Sequence, residues 1–332
     1  MNHDDHVRGV NLGGWLVLER WLTPSLFAGT DAPDEHSFMR MPGAKKRIDA
    51  HRHAFVREAD FKWLAAHGVN LVRIPVGYWL FENTDGYSAS VTYLDDAMRW
   101  AEKHGLNVLI DLHGVRGSQN GFDNSGKTGK AAWFSDRSAQ NEALELLVRI
   151  AERYKDSPAL WGIELLNEPL ARGHFWTLLR FYRKAYARLR QVLRPGTRVV
   201  FHDGFQPLLF AGALWPRKSH PVLMDVHWYA FPLPGDDLDS YLKKSAWRRK
   251  FLLRSLQLWQ PVLVGEWSTV LPQRFFDAAP KNTHMDLLAA NARMQRAAYQ
   301  KSAGSIYWNY KAEGGGMWNF RDLAERGVIS LG

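Results

Sequence analysis

The stretch NLVRIPVGYWLFENTDGYSASVTYLDDAMRWAEKHGLNVLIDLH, residues 70–113, decides the fold. It begins with the apolar run 70–76 and ends with a similar run, 107–113, both typical of buried strands. Between them, apolar residues recur at i, i+3, i+4 and i+7 from Leu94, and Gly105 follows in a position typical of a helix C-cap. A strand, a helix and a second strand in this order predict that the two strands are parallel.

The same alternation continues along the whole chain. Further helical patterns cover residues 58–68 and 175–193. The predicted strands are 7–12, 70–76, 107–113, 162–168, 198–204, 223–229, 261–267 and 304–310. Eight such strands predict an α/β fold, a single catalytic (β/α)8 TIM barrel over residues 1–332, with functional side chains at the carboxyl ends of the strands. Residues 23–54 and 313–320 show no clear period and are predicted to be loops after the first and eighth strands.

Composition narrows the possible functions. The chain has no cysteine, which excludes disulfides and thiolate chemistry. It has no apolar run long enough for a membrane span. The net charge is +9, but the basic run 243–254 has helical spacing and favours a solvated helix face, and no nucleic-acid-binding signature accompanies it. The amino terminus lacks a secretory pattern, so we expect a cytoplasmic protein, or a periplasmic or secreted one if a signal has been removed.

Polar residues follow the apolar strands where each strand ends. They include two glutamates, Glu168 and Glu266, from different strands. In a barrel the strand ends meet at one mouth. A pair of carboxyl groups at this mouth is typical of a glycoside hydrolase. In such enzymes one carboxyl group protonates the leaving oxygen, and the other attacks the sugar or activates water. The other strand-end candidates are Arg73, His113, Asn167, His227, Tyr229 and Trp308.

These residues have expected roles and ordinary alternatives. Asn167 could bind a sugar hydroxyl, Trp308 could stack on a sugar, and Arg73 with Tyr229 could hold Glu266 ionised. Taken singly, each is more often a structural residue; their shared position at strand ends favours function. The histidines lack the spacing of a metal motif. Residues 121–128, GFDNSGKT, match a phosphate-binding loop, but they do not follow a strand directly, so we expect a chance match.

The chain resembles glycoside hydrolase family 5, and within it the exo-β-1,3-glucanases of fungal cell walls. The matching stretches run from residue 8 to about residue 311. They include RGVNLGGWLVLE (8–19), GSQNGFDNSG (117–126), LLNEP (165–169), HWYAF (227–231) and YWNYK (307–311). The resemblance implies a retaining double displacement, with Glu168 as acid/base and Glu266 as nucleophile.

The resemblance also implies a substrate pocket. Glu19 and Asp123 match positions that bind the hydroxyls of the terminal glucose, and Phe122 matches an aromatic clamp at the entrance. Phe231 is the nearest candidate for a second clamp residue. We therefore expect a β-glucan or β-glucoside substrate, no cofactor and no metal, no nucleic-acid partner, and a monomer.

Three functions remain open on sequence grounds. The first is a retaining exo-β-1,3-glucanase that releases glucose from non-reducing ends. The second keeps this chemistry on another substrate, as a β-glucosidase, an endo-β-glucanase, or a transglycosylase acting on another β-glucan or a glucosyl lipid. The third is a non-catalytic glycan-binding protein, which the presence of both glutamates disfavours.

Overall fold

A parallel barrel organises the molecule, for which a computed structural model describes residues 6–214, 220–229 and 237–331. Its strands are β1 (Val7–Asn11), β2 (Leu71–Gly77), β3 (Asn107–Gly114), β4 (Leu160–Glu164), β5 (Arg198–His202), β6 (Val222–His227), β7 (Val262–Trp267) and β8 (Gly304–Tyr307). Each strand pairs in parallel with the next, and β8 pairs with β1, so the sheet is closed. The predicted (β/α)8 barrel is confirmed.

Helices lie between and after these strands along the chain. They are α1 (Glu35–Phe38), α2 (Ala44–Phe55), α3 (Glu58–Ala66), α4 (Val91–His104), α5 (Arg137–Tyr154), α6 (Phe175–Val192), α7 (Pro207–Phe210), α8 (Leu238–Leu256), α9 (Gln273–Asp277), α10 (His284–Tyr299) and α11 (Phe320–Glu325). The helical patterns read from the sequence correspond to α3, α4, α6 and α8. Gly105 has the left-handed conformation (φ 69°) expected of its C-cap position.

The two faces of each strand have different partners. On β2, Val72 and Ile74 point outward into the large core shared with the helices, whereas Leu71 and Arg73 point into the barrel. Apolar side chains from every strand, Leu71 and Leu109 among them, fill the amino-terminal half of the interior. Above this apolar layer the inward side chains become charged, starting with Arg73 and Asp111. This change of polarity positions the site at the carboxyl ends of the strands.

The predicted loop at 23–54 is wrong, because this segment contains α1 and most of α2. The helical face of α2 buries Ala44, Ile48 and Arg52 at intervals of four residues. The third of these is an arginine, which conceals the apolar period. It is buried because its guanidinium forms an ion pair with Glu35 at 3.0 Å and donates to backbone carbonyls. The prediction for 313–320 needs a smaller change, since residues 316–318 form a short 3-10 helix there and α11 starts at Phe320.

Several strands are shorter than predicted at their carboxyl ends. The strand predicted at 162–168 ends at Glu164, and those predicted at 223–229 and 304–310 end at His227 and Tyr307. Polar groups after these points bond to neighbouring strands and loops instead of continuing the ladder. The phosphate-loop match at 121–128 forms a loop containing a short 3-10 turn, and the next helix starts only at Arg137, as expected of a chance match.

Candidate active site

Glu266 lies within β7 and is held from two sides. Its Oε1 accepts from Nη1 of Arg73 at 3.1 Å, and its Oε2 accepts from the hydroxyl of Tyr229 at 2.6 Å. The side chain is only 4% exposed. A carboxylate on a strand and bonded at both oxygens has little freedom to rotate. The contacts expected from Arg73 and Tyr229 are therefore present.

Arg73 is the centre of the charged layer. Its guanidinium forms two hydrogen bonds with Glu164, at 2.7 and 3.1 Å, and also donates to Asn11, Asn167 and Glu266. These several partners offset the cost of burying the cation completely. Burial alone would lower the pKa of Arg73, but the surrounding carboxylates raise it well above the ordinary value, so the group stays charged.

Glu168 is positioned by a loop rather than a strand. After β4 ends, the backbone N–H of Asn167 donates to the carbonyl of Leu112. The next residue, Glu168, adopts a left-handed conformation with φ 43°. This conformation is costly for a residue other than glycine, and here it turns the side chain into the mouth. Its Oε1 lies 2.7 Å from Nδ1 of His227, and its Oε2 accepts from the amide of Asn124 at 2.9 Å.

One ring nitrogen joins the two glutamates. Nδ1 of His227 lies 2.7 Å from Oε1 of Glu168 and 3.4 Å from Oε2 of Glu266. Because both distances end on one atom, these two oxygens lie no more than about 6 Å apart. Inverting glycosidases need carboxyl groups about 6.5–9.5 Å apart to admit a water molecule, whereas retaining enzymes place them about 5–5.5 Å apart. The spacing favours a retaining pair.

The protonation of this cluster centres on His227. Burial would lower its pKa, but the charges of Glu266 and Asp225 and its hydrogen bonds raise it well above 6.5. Burial would raise the pKa of Glu168, but the bond to His227 and its charge lower it to about 2. Burial raises the pKa of Glu266 above 4.5, against the charges of His227 and Arg73. These directions favour a protonated His227 beside an ionised Glu168, whose Oε1 lies 2.7 Å from Nδ1 of the histidine.

His113 and Asn167 form a second hydrogen-bonded group beside the glutamates. Nδ1 of His113 lies 2.5 Å from Asp111, and its Nε2 is 3.4 Å from the side-chain amide of Asn167. The amide of Gln119 donates to the backbone carbonyls of both residues, at 2.7 and 2.9 Å. This arrangement orients the Asn167 side chain next to Glu168.

Aromatic side chains form the walls of the mouth. The indole of Trp308 lies within 6° of parallel to the His113 ring, with ring centres 5.8 Å apart. A Cβ at Gly13 would come within 2.5 Å of this indole, so glycine is required there. Trp21 packs edge-on against Trp318, whose ring also contacts Tyr229.

Glu19 lies close to the charged groups of Asp123, Glu266 and Glu168. Burial and the negative charges of Asp123 and Glu266 raise the pKa of Glu19 well above 4.5, while its Oε2 accepts from the indole of Trp21 at 2.9 Å. Burial also raises the pKa of Asp123. These carboxyl groups add hydrogen-bonding oxygens to one side of the mouth, where they can bind sugar hydroxyls.

Phe122 lies on the rim, beside an apolar cavity of about 490 Å³. Phe205 lines the same cavity, and the two phenylalanines are 45% and 46% exposed. Leu170, two residues beyond Glu168, also lines it. The other clamp candidate, Phe231, lies outside the described residues. Phe205 was not predicted, although its place three residues after a strand-end histidine could have indicated it.

Several residues that complete the site were also missed. Asp111 and Asp225 each lie two positions before a predicted histidine, and Glu164 lies four before Glu168. Polar residues at the inward positions of an apolar strand are the signal that could have found them, because side chains alternate with a period of two. His202 is a further case. Its Nδ1 accepts from the amide of Gly204, and burial lowers its pKa to about 3, so it is neutral.

Two groups in the described residues have ligand atoms close enough for a metal ion: Glu168, His202 and His227, and Glu164, Asp225 and His227. Most of these ligand atoms already take part in hydrogen bonds or ion pairs within the site. The two nitrogens of His227 contact Glu168 and Asp225, and Glu164 is bonded to Arg73. A metal would have to displace these contacts, so the donor atoms fit a hydrogen-bonded network better than a metal centre.

Comparison with known protein families gives the same assignment as the geometry. The model of the cellulase family, glycosyl hydrolase family 5, matches residues 39–314. The chain belongs to glycosyl hydrolase family 5. The protein is thus a glycoside hydrolase, and its barrel carries the candidate residues at the end where this family's fold places catalysis.

Individual relatives match nearly the whole chain. It is 34% identical to a probable glucan 1,3-beta-glucosidase A of Aspergillus niger, covering 96% of this chain and 85% of the relative. It is also 34% identical to glucan 1,3-beta-glucosidase 1 of Schizosaccharomyces pombe, covering 98% and 88%. Among solved structures, the rutinosidase of Aspergillus niger superimposes with a TM-score of 0.84 at 21% identity, covering 97% of each chain, which supports the fold.

Proposed function

We propose that this protein is a retaining exo-β-1,3-glucanase that releases glucose from the non-reducing ends of β-glucans. The observation that carries the proposal is the approach of Glu168 and Glu266 to one nitrogen of His227. The glucan 1,3-beta-glucosidase names of the relatives support the linkage.

Glu266 is the proposed nucleophile. Its carboxylate attacks the anomeric carbon as the bond to the leaving oxygen breaks, and a covalent glucosyl ester forms. Arg73 and Tyr229 hold the carboxylate in one orientation through bonds to separate oxygens. Since an attacking group that is already aligned loses little entropy in the transition state, this fixation accelerates the first step.

Glu168 is the proposed acid and base. In the first step the proton on Nδ1 of His227 passes to Glu168 and then to the leaving oxygen, so the alcohol departs neutral. In the second step Glu168 takes a proton from water, the resulting hydroxyl attacks the anomeric carbon, and the ester bond to Glu266 breaks. The left-handed turn at Glu168 holds its carboxyl group within reach of both Nδ1 of His227 and the leaving group.

Glu19 and Asp123 provide the proposed exo specificity. Glu19 lies close to the charged groups of Glu266, Glu168 and Asp123, and both acidic side chains would accept hydrogen bonds from the hydroxyls of a terminal glucose. Asn167 would bind a hydroxyl near the anomeric carbon, with His113 orienting its amide. Trp308 would pack against the sugar ring.

A second candidate is favoured by the cavity beside Phe122 and Phe205. It lies on the Glu168 side, where the leaving group departs, and its lining is mainly apolar. Such a cavity accommodates an apolar leaving group as well as a glucose face. We therefore keep a β-glucosidase that acts on apolar β-glucosides as the alternative function.

The test is a product analysis. The wild-type protein and Glu266→Ala are incubated with laminari-, cello- and gentio-oligosaccharides and with an aryl β-glucoside, and products are followed by proton NMR. We expect β-glucose to appear first, from laminari-oligosaccharides, and to be absent with the variant. Early α-glucose would refute the retaining mechanism, and internal fragments would refute exo action. Turnover of the aryl glucoside alone would favour the alternative.

Other properties accompany this proposal. We propose a single catalytic domain that acts as a monomer and needs no cofactor. In the described parts of the chain, no helix is both long and apolar enough to cross a membrane. The cellular compartment stays a prediction.

A further inference from the structure

Helix α8 exposes an unusual row of apolar side chains. Trp247 and Phe251 are 66% and 61% exposed, and just beyond the helix Leu258 and Trp259 are 84% and 58% exposed. These four residues are called the apolar stripe below. Trp247 and Leu258 are eleven residues apart, so the stripe extends roughly 16 Å at the rise of an α-helix. Large apolar side chains gathered in this way on a surface mark an interaction site.

Cations surround the apolar stripe. The prediction that the basic run 243–254 forms a solvated helix face is confirmed, since most of its cations are exposed and only Arg249 is buried. Helix α10 packs against α8 and adds more positive charge. We define the cationic face as Arg248, Lys250, Arg254, Arg293, Arg296 and Lys301. Within the described residues, none of these six side chains forms an ion pair with a carboxylate.

Two clefts lie in the cationic face. The smaller one, about 120 Å³, lies between the two helices and is lined by Lys250, Arg254 and Lys301. The larger one, about 350 Å³, is lined by Arg8, Arg293 and Arg296 together with His6. Among the described residues, neither lining includes a carboxylate. Clefts with several unneutralised cations attract anionic groups such as phosphates.

The charges around the larger cleft act on each other. Burial lowers the pKa of Arg296, and the nearby positive charge of Arg8 lowers it further. The imidazole of His6 lies in the same cleft, and its Nε2 is buried without a hydrogen-bond partner in the described structure. A bound anion would relieve the repulsion between the two guanidinium groups.

We infer that the apolar stripe and the cationic face together dock the protein on an anionic phospholipid surface. Tryptophan, phenylalanine and leucine beside lysine and arginine are the composition of surfaces that lie in the membrane interface. The rings insert among the lipid headgroups, and the two clefts receive headgroup phosphates. Each cation adds attraction to an anionic leaflet within a Debye length.

Lipid fits this surface better than nucleic acid does. The rings of Trp247 and Phe251 lie 13° from parallel with centres 5.6 Å apart, so they cover part of each other's faces. Bases that stack on aromatic side chains need open ring faces. Leu258, the most exposed side chain of the stripe, offers no face for stacking but can enter an apolar interface.

The docked orientation leaves the catalytic mouth free. Helices in this fold run opposite to the strands, so the carboxyl halves of α8 and α10 lie at the end away from the mouth. The larger cleft agrees with this, because it includes Val7 and Arg8 at the start of β1. A protein held by this face would present its mouth to substrates away from the lipid.

The test measures flotation of the full chain with vesicles of phosphatidylcholine alone and of phosphatidylcholine with phosphatidylglycerol. Two variants probe the face: Trp247→Ser with Phe251→Ser, and Lys250→Glu with Arg254→Glu. Matched controls on α6 are Trp176→Ser, which removes a 77% exposed indole, and Arg183→Glu with Lys184→Glu. Circular dichroism and the melting temperature confirm that each variant folds.

We expect binding only to the anionic vesicles, weakened by added salt. Reversing two charges in the face should weaken binding roughly tenfold or more, and removing both rings should have a similar effect. The α6 controls should bind like the wild type. Absent binding to anionic vesicles, or equal losses in the controls, would overturn the inference. Binding of inorganic phosphate or a DNA duplex through the same face, without vesicle binding, would overturn it as well.

Discussion

The loop after β4 and the end of β7 each supply one of the two proposed catalytic glutamates, but they hold it in different ways. Glu266 is part of its strand and is bonded at both oxygens to Arg73 and Tyr229. Glu168 lies four residues beyond its strand, on a turn with φ 43°, bonded to His227 and Asn124. The difference corresponds to the proposed roles. A nucleophile needs a fixed direction of attack, whereas an acid and base needs a partner with which to exchange a proton.

The largest expected effect is at the end of β7, where Glu266 is held at both oxygens. Replacing the proposed nucleophile, as in Glu266→Ala, removes the group that forms the covalent bond, so we expect turnover of any β-glucoside to fall by roughly 10⁴-fold or more. The measurement is kcat on an aryl β-glucoside, with circular dichroism as the check on folding. Retention of near-wild-type turnover would show that the end of β7 does not carry the nucleophile.

For Glu168, on the loop after β4, the loss of activity on substitution should depend on the substrate. For Glu168→Ala we expect a fall of about 10²- to 10⁴-fold in kcat/KM with a poor leaving group, because acid help is lost. A good leaving group needs no proton, so the first step on such a substrate should be much less affected. The measurement is kcat/KM over a series of aryl glucosides. A uniform loss would contradict the acid role.

The comparison also bears on how far the sequence could predict the site. The apolar strands and the polar residues at their ends were sufficient to place both glutamates at one mouth. The turn that carries Glu168 was missed, because an apolar run through Leu165 and Leu166 continues the strand pattern although the chain has left the sheet.

Other features depend on long-range pairing. The sequence could not show that Arg52 belongs to the buried face of α2, because its burial depends on the ion pair with Glu35. Asn124 looked like part of a loop, and its bond to Glu168 joins residues 44 positions apart. Local patterns cannot report such contacts. The strand alternation could have revealed Asp111 and Asp225, because both occupy inward positions.

The pH profile should separate the two ends. Glu266 must be ionised for catalysis. Because its pKa is raised, we expect activity to fall as the pH drops, with the acid limb of the profile above pH 4.5. The His227–Glu168 pair must hold its proton, and the raised pKa of His227 places the alkaline limb above 6.5. In His227→Gln the cation that lowers the pKa of Glu168 is lost, so Glu168 keeps its own proton and the alkaline limb should move to lower pH. The measurement is kcat/KM against pH; an unchanged alkaline limb would contradict proton storage on His227.

The smallest expected effect concerns the cavity lined by Phe122 and Phe205, on the side of Glu168 where the leaving group departs. Phe205→Ala removes an aromatic wall of this cavity. We therefore expect kcat/KM on laminaritriose to fall roughly fivefold, which corresponds to a loss of about 1 kcal/mol in transition-state binding. Leu208→Ala is the matched control, because this exposed residue does not line the cavity. An equal effect in both variants would exclude a role of the cavity in binding.

The central claim is that Glu266 forms a covalent bond to glucose while Glu168 does not. It is tested most directly with a 2-deoxy-2-fluoro-β-glucoside that has an activated leaving group, because the fluorine slows release of the glucosyl ester. After inactivation, digestion and mass spectrometry locate the label. We expect one fluoroglucosyl group per chain, on the peptide that contains Glu266. A label on Glu168, or full inactivation without a covalent label, would contradict the account.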